Sequence, residues 1–362
     1  MGFGLTILIT GATGLVGKAL VQYLLNKPMV AKNPNKLRLL VREKEGDPYR
    51  QKFLMMCESK GIDIFIGNLK SKKDLLSFTK VSDNTKSILI HCGAIFNFWQ
   101  PYDLLYNVNV KGTERILESF HKNNLKKLVY LSSIAVYGNI RGENDRGVTE
   151  DHPIDLKLRK NYELTKALAE EKIRKYQQNN PQKIITIIRP CGIVGGSGQT
   201  IDIFSRMIFG RFVPLPRGGK DKMSLVDVND VVRAIDFLSS FNFGNYNIFN
   251  LVSYTPTLRE VILELGQALQ RKKLTILPIP LIFFKPLYYF SRILRKFKKP
   301  NENSLLLPIL FDKLGQDVWV DDSKIREIGF SARASLRESM IHFGSFIANS
   351  PNYAEKKFSI AI

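Results

Sequence analysis

Cysteine is scarce in this chain of 362 residues: Cys57, Cys92 and Cys191 lie far apart, are odd in number and form no C-x-x-C pair. That excludes a disulfide framework and a cysteine zinc site, and it fits a reducing cytosol. The four histidines (His91, His121, His152 and His342) are scattered, so no metal site is expected. Acid is also in short supply: 33 Asp+Glu against 54 Lys+Arg leave a net charge of +21. Such a balance attracts nucleic acid, anionic membrane or phosphorylated ligands. Lys and Asn crowd most surface-like stretches, however, and no helix-turn-helix or aromatic–basic motif appears. The charge is therefore read as compositional, and no nucleic-acid partner is expected. Long apolar runs are lacking too, since none approaches the ~20 residues of a membrane span. The first apolar run is short and enters a glycine loop, which is no signal peptide. Met1-Gly2 opens an acylation-like pattern, but Leu5–Thr10 reads as a buried strand that holds Gly2 near the fold. The expectation is a cytoplasmic protein.

What is present is globular in its proportions, with 44% hydrophobic and 24% charged residues. The first 190 residues alternate short Ile/Leu/Val runs with helical segments, as βαβ units of a parallel sheet do. The strands are Leu5–Thr10, Lys36–Val41, Ile62–Ile66, Ser87–His91, Leu128–Leu131 and Ile184–Ile188; none alternates with polar residues, as strands covered on both faces should not. Helices are expected at Gly17–Leu25, Tyr102–Lys122 and Tyr162–Gln177. After Arg189-Pro190 the chain turns rich in Gly and Pro, then supplies a helix at Val228–Ser239 and a returning strand at Tyr246–Leu251. Residues 1–190 and 224–253 thus read as one nucleotide-binding domain, 191–223 and 254–345 as a substrate lobe, and 346–362 as a tail. Within the lobe, Thr257–Leu269 reads as a helix.

Thr10-Gly11-Ala12-Thr13-Gly14-Leu15-Val16-Gly17 joins the first strand to the first helix. Gly11 permits the tight turn, Gly14 lets backbone N–H groups approach a pyrophosphate, and Gly17 lets the helix sit close to the sheet. Phosphates there face the positive end of a helix dipole. Gly11, Thr13, Gly14, Leu15 and Gly17 are accordingly candidate cofactor contacts. Strand two ends Leu39-Leu40-Val41-Arg42-Glu43. A carboxylate at that end suits the ribose 2′-OH of NAD, whereas an arginine fork clamps a 2′-phosphate. Arg42 favours NADP(H) over NAD, although Glu43 stands beside it.

Two further segments carry chemistry. In Tyr162-Glu163-Leu164-Thr165-Lys166 the phenol and the ammonium are four apart and share a helix face. A neighbouring ammonium lowers the phenol pKa from about 10 and makes it a usable acid or base. In Leu131-Ser132-Ser133-Ile134-Ala135-Val136-Tyr137-Gly138, Ser133 leaves the carboxyl end of a parallel strand, where it can orient a substrate oxygen. With these residues the chain resembles the extended short-chain dehydrogenase/reductase family over residues 4–345. The resemblance implies a Rossmann-type doubly wound α/β sheet with a smaller C-terminal lobe. It also implies a Ser133, Tyr162 and Lys166 catalytic set, with Asn109 of Asn109-Val110-Lys111-Gly112-Thr113 organising a proton relay. Arg189-Pro190-Cys191-Gly192 and Leu225-Val226-Asp227-Val228 match later family segments, and the resemblance extends cofactor contact to Pro190. Where the family has Gly-Asp-Leu, its aspartate facing the adenine amino group, this chain has Gly67-Asn68-Leu69. Asn68 can still accept that bond. Gly93 and Ala94 stand where small residues line the cofactor, and His91 is expected to be structural.

The substrate class is read from what flanks the site. Dehydratases of the family carry an Asp-Glu pair after the catalytic hydroxyl; here Ile134-Ala135 follow, which disfavours dehydration. Ala94-Ile95-Phe96-Asn97-Phe98-Trp99-Gln100-Pro101-Tyr102 resembles the loop of acyl-thioester reductases and 3β-hydroxysteroid-type dehydrogenases, and its rings suit an apolar substrate. Between Gly266 and Pro300 stand nine Lys/Arg and no acid, interleaved with aromatic and aliphatic residues. The segment Leu274–Pro300 is either a lid over a lipophilic pocket or an interfacial contact with anionic membrane. The leading expectation is NADP(H)-dependent hydride transfer on a small lipophilic substrate. A sugar-nucleotide epimerase holding NAD is the alternative, and a non-catalytic sensor is disfavoured by the intact Ser133-Tyr162-Lys166 set. A homodimer through the Tyr102–Lys122 and Tyr162–Gln177 faces is expected from the resemblance.

Overall fold

The computed structural model describes residues 6–43, 48–82, 86–96, 100–138, 147–157, 161–195, 208, 211–241, 244–271, 273–283, 286 and 319–348. Strands and helices alternate as β1 (Ile7–Thr10), α1 (Leu15–Leu25), β2 (Leu37–Val41), α2 (Pro48–Ser59), β3 (Asp63–Ile66), α3 (Lys72–Phe78) and β4 (Ile88–His91). There follow α4 (Lys111–Lys122), β5 (Lys127–Leu131), α5 (Tyr162–Asn179) and β6 (Ile184–Pro190). The remainder comprises β7 (Gly192–Val194), β8 (Phe212–Pro216), β9 (Leu225–Asp227), α6 (Val228–Ser240), β10 (Tyr246–Leu251), α7 (Leu258–Ala268), β11 (Thr275–Ile279), α8 (Ser323–Glu327) and α9 (Leu336–Ala348). Seven strands form one parallel sheet in the order β3-β2-β1-β4-β5-β6-β10. The order reverses between β1 and β4, which opens the ligand crevice of a doubly wound sheet at their carboxyl ends.

The unbroken apolar strands have a direct cause. Successive residues point to opposite faces, and each face is covered. Ile7, Ile9, Val129 and Leu131 join one core with α1, α2 and α6. Leu8, Leu128 and Tyr130 join the other with α3, α4 and α5. A third core, the lobe's own, gathers Val213, Leu215, Val261, Leu265, Met340 and Phe343 from β8, α7 and α9.

Four boundaries differ from the sequence reading. The segment expected as one helix from Tyr102 to Lys122 begins as α-helix at Tyr102–Leu105, widens to a π-helix at Tyr106–Val110 and resumes as α4. Strand β6 runs on to Pro190 because β10 pairs with it as far as Pro190 opposite Leu251. Val320, Ile325 and Phe330, assigned above to the lobe, pack into the nucleotide domain's core. Residues 346–348, assigned to the tail, are the last turn of α9. The outward faces of α4 and α5 carry ion pairs such as Lys172–Glu114 at 2.7 Å. Among the described residues neither helix exposes a large apolar side chain. No described helix is long and apolar enough to cross a membrane, and no described cluster could hold a metal ion.

Candidate active site

The glycine loop sits at the mouth of the crevice. Gly11 turns the chain at φ 72°, in the left-handed region that favours glycine. A Cβ on it would lie 2.7 Å from the backbone of Cys92 and Gly93 at the end of β4. A Cβ on Gly17 would lie 2.1 Å from the Gly11 carbonyl oxygen and 2.6 Å from Ala12 Cα. The approach that Gly17 permits is thus to the loop's own backbone, not the helix-to-sheet contact expected from the sequence. Gly14 is exposed and forms the N-cap of α1, with no side-chain cap and no acid in the first turn. The positive end of the helix therefore keeps its N–H groups for an anion, and Thr13 and Leu15 flank it half-buried. These residues fit a dinucleotide diphosphate. The bound nicotinamide would supply or accept the hydride.

Around the loop, a Cβ on Gly93 would meet Leu69 Cδ1 at 2.9 Å and Thr10 Oγ at 3.0 Å, so Gly93 and Leu69 pack face to face. Ala94 follows half-buried, and Pro190 ends β6 in the buried sheet. Asn68 Oδ1 accepts from the Lys70 N–H at 3.0 Å, so it already closes a local turn. Arg42 and Glu43 are both exposed just beyond β2. Arg50, which the sequence reading did not single out, donates from α2 to the Glu43 carbonyl.

Tyr162 and Lys166 lie on the inward face of α5, both buried. Asn161 caps the helix by accepting from the Leu164 N–H, which fixes Tyr162 as its first residue. Lys166 Nζ donates to the Leu131 carbonyl at 2.6 Å and to the Tyr130 hydroxyl at 3.3 Å, and lies 4.6 Å from the Tyr130 ring centre. Burial pulls its pKa down to about 8. Burial, reinforced by Glu163, raises the Tyr162 phenol well above its ordinary value. This corrects the expected lowering: the ammonium is engaged by the end of β5, and desolvation governs the phenol. Tyr162 is held protonated at neutral pH. Ser133 caps the helical turn Ile134–Tyr137, its Oγ accepting from the Ala135 N–H at 3.2 Å, which leaves its own O–H to donate. That turn packs against α5. Buried Ser132 Oγ beside it meets no hydrogen-bond partner among the described residues.

Asn109 lies in the π-helical turn, a form of helix frequent at functional sites. Its Oδ1 accepts from the Ile95 N–H at 2.8 Å, and its Nδ2 donates to the Ile95 carbonyl at 3.1 Å and to Thr165 Oγ at 3.0 Å. These bonds fasten the loop after β4 to the catalytic helix through Thr165 rather than through Lys166. The Asn109 side chain thus holds the loop after β4 and the first turn of α5 in register. The backbone carbonyl of Asn109 accepts from Thr113 Oγ at 2.6 Å.

His91 is central to that support. Its Nε2 meets Thr113 Oγ at 3.2 Å and its Nδ1 meets Thr10 Oγ at 2.6 Å. Thr113 already donates to Asn109 O, so it accepts from His91 Nε2–H; Nδ1 is then the acceptor of the Thr10 hydroxyl. Thr10 in turn accepts from the Gly93 N–H at 3.2 Å. Burial, with the Lys166 charge adding, pushes His91 down to about 3, so the ring is neutral. The structural reading of His91 thus acquires a specific content: one tautomer links the glycine loop to Asn109.

Phe96 packs edge-on against Tyr162, centroids 4.8 Å apart at 82°, and remains 40% exposed. Asn97, Phe98 and Trp99 lie outside the described residues. Tyr102 packs against Tyr106 instead, at 5.9 Å. Below the site, Arg189 is buried in a fork on Glu170, with Nη2 to Oε2 at 2.6 Å, and also donates to Tyr137 Oη at 2.7 Å. Sequence reasoning missed Tyr130, Thr165, Thr10 and Thr113. Their only signal was a hydroxyl in an otherwise apolar or helical run.

The model of the NAD dependent epimerase/dehydratase family matches residues 7–251. The chain is 31% identical over 245 residues to N-acetyl-α-D-glucosaminyl-diphospho-ditrans,octacis-undecaprenol 4-epimerase of Escherichia coli O157:H7, covering 66% of this chain and 71% of the relative. It is 24% identical over 338 residues to a 4-hydroxy-2-methyl-3-oxo-4-farnesyl-3,4-dihydroquinoline-1-oxide ketoreductase of Stigmatella aurantiaca, covering 92% and 93%. The fold superposes on UDP-glucose 4-epimerase of Thermus thermophilus in complex with NAD, with a TM-score of 0.67, 18% identity and coverage of 96% and 100%. With the glycine cradle, the Ser133 turn and the Tyr162–Lys166 helix in one crevice, this chain belongs to the NAD-dependent epimerase/dehydratase family and is an NAD(P)-dependent enzyme of the extended short-chain dehydrogenase/reductase type.

Proposed function

We propose that the enzyme moves a hydride between NADP(H) and the carbonyl or alcohol carbon of a substrate with a lipophilic body. The observation that carries this reading is the buried Tyr162 phenol on the helix that packs against the Ser133 turn. As a general acid the phenol gives its proton to the oxygen of a carbonyl being reduced, and as a general base it takes one up when an alcohol is oxidised. Ser133 supplies a second O–H to the same oxygen and stabilises the charge developing on it.

The half-exposed Phe96 ring against Tyr162 supports an apolar group next to the reacting carbon. The relative from Stigmatella acts on a farnesyl-bearing ketone and that from Escherichia coli on a polyprenol-linked sugar, and both carry long apolar bodies. The exposed Arg42 supports NADP(H) over NAD, because a guanidinium fork complements a 2′-phosphate. A second reading, an epimerase that retains NAD, rests on the relative of 31% identity. A screen of prenyl, steroid and acyl carbonyls against NADPH and NADH, followed at the reduced-nicotinamide absorbance, together with nucleotide- and polyprenol-linked sugars followed by chromatography of the sugar, tests both. Steady NADPH oxidation with an apolar ketone or aldehyde is expected. Substrate inversion with no net cofactor change would replace the first reading by the second.

A further inference from the structure

The C-terminal lobe ends in a small two-stranded ribbon. Strands β8 and β11 pair in parallel, with Phe212 opposite Thr275 and Leu277 opposite Pro214. Paired residues share a face of a sheet and alternate residues face the other way. Val213, Leu215 and Ile276 pack into the lobe's core. Phe212, Pro214 and Leu277 therefore face outward, Phe212 being 57% and Leu277 40% exposed. Two residues beyond β11, the helical turn Leu281–Phe283 presents Ile282 at 67% and Phe283 at 68%. Among the described large apolar side chains only Met55 is more exposed. Phe212, Pro214 and Leu277 are neighbours on that face and the turn follows in the chain, and an exposed apolar patch of this kind marks a contact surface.

The charge around this face has one sign. Arg211 is exposed and lies 5.9 Å from the Phe212 ring centre, and Lys273 is exposed two residues before Thr275. Asp221 is the single acid between residues 203 and 226, and it is buried and paired with Arg217 at 2.7 Å. Along the sequence from Gly266 to Pro300 stand nine Lys/Arg, Lys273 among them, and no Asp or Glu. A second copy of the chain would set these cations against their own kind. An anionic bilayer offers the complementary arrangement: headgroups for Lys and Arg, and an acyl boundary for Phe, Ile and Leu.

We infer that the outer face of the β8–β11 ribbon and the Leu281–Phe283 turn dock the enzyme peripherally on an anionic lipid bilayer. Docking is independent of the reaction catalysed and is measured without turnover.

The test is co-sedimentation of the full chain with vesicles of phosphatidylcholine alone and of phosphatidylcholine with phosphatidylglycerol. Binding roughly tenfold stronger to the anionic vesicles, weakening as salt rises, is expected. Ile282→Ser/Phe283→Ser and Arg211→Glu/Lys273→Glu should each lower that binding roughly tenfold. Thermal stabilisation by the dinucleotide, unchanged in both variants, shows that each is folded. Equal partition to both vesicles, or undiminished binding by the folded variants, overturns the proposal. It is also overturned if the native chain ignores vesicles and light scattering shows that the Ile282/Phe283 variant has lost a dimer. A vesicle result of either kind leaves the carbonyl screen to decide the reaction separately.

Discussion

Asn109 Nδ2 donates to Thr165 Oγ at 3.0 Å, and this bond joins the π-helical turn to the first turn of the catalytic helix. Thr165 Oγ in turn donates to the Tyr162 carbonyl at 2.7 Å. One amide therefore ties the first turn of that helix to the loop after β4. Asn109→Ala strands the Ile95 N–H and carbonyl. Leaving buried backbone groups unpaired costs about 1–3 kcal/mol each. Denaturant unfolding should register a loss of that order, and kcat should fall more than KM rises because the catalytic helix is displaced.

Tyr162→Phe keeps the edge-on ring against Phe96 while removing the proton. Loss of a general acid of this kind lowers turnover by about 10²–10⁴-fold. Dinucleotide affinity by fluorescence titration should stay close to native. In the native enzyme the raised phenol pKa keeps the acid form as pH climbs. The reductive rate should accordingly stay level from neutral into mildly alkaline solution, while alcohol oxidation increases over the same range. A reductive rate that falls away just above neutrality would contradict a phenol tuned by burial.

Lys166 and His91 give pH dependence to stability, with the same sign in two separate windows. Burial lowers Lys166 from 10.5 to about 8 and His91 from 6.5 to about 3. Between each pair of values the unfolded chain holds a proton that the native chain does not. Stability therefore rises with pH across both windows. The native protein should lose stability as pH falls from 6.5 toward 3, and His91→Gln should flatten that limb in urea titrations. Relative to Lys166→Met, the native protein should gain stability as pH rises from about 8 to 10.5.

Gly17→Ala places a methyl 2.1 Å from the Gly11 carbonyl oxygen, where neither backbone can yield without moving the loop. Overpacking of this sort costs about 1–3 kcal/mol. Thermal melting should show that loss, and the stabilisation normally produced by the dinucleotide should shrink, since the loop that must yield is the one that faces the phosphates.

Local pattern determined a large part of this protein. The uninterrupted Ile/Leu/Val runs specified strands covered on both faces, because a buried parallel strand leaves no side for polar residues. The spacing of Gly11, Gly14 and Gly17 specified a tight turn into a helix; Gly17 answers to the loop's own backbone, whereas the Cβ that Gly11 lacks would strike Cys92 and Gly93 far along the chain. Tyr162 and Lys166, four apart, had to share a helix face. Tertiary structure decided the rest, through contacts between residues far apart in the chain. The ammonium of Lys166 is taken by the Leu131 carbonyl 35 residues away, which leaves burial to set the Tyr162 pKa. Asn109 reaches Thr165 across 56 residues, in a helix that widens to a π turn where simple periodicity had predicted one continuous α-helix. Which aromatic side chains stay in solvent was likewise settled by register. Pairing Phe212 with Thr275 sends Val213 and Leu215 inward and leaves Phe212 outside, a choice that neither strand makes alone.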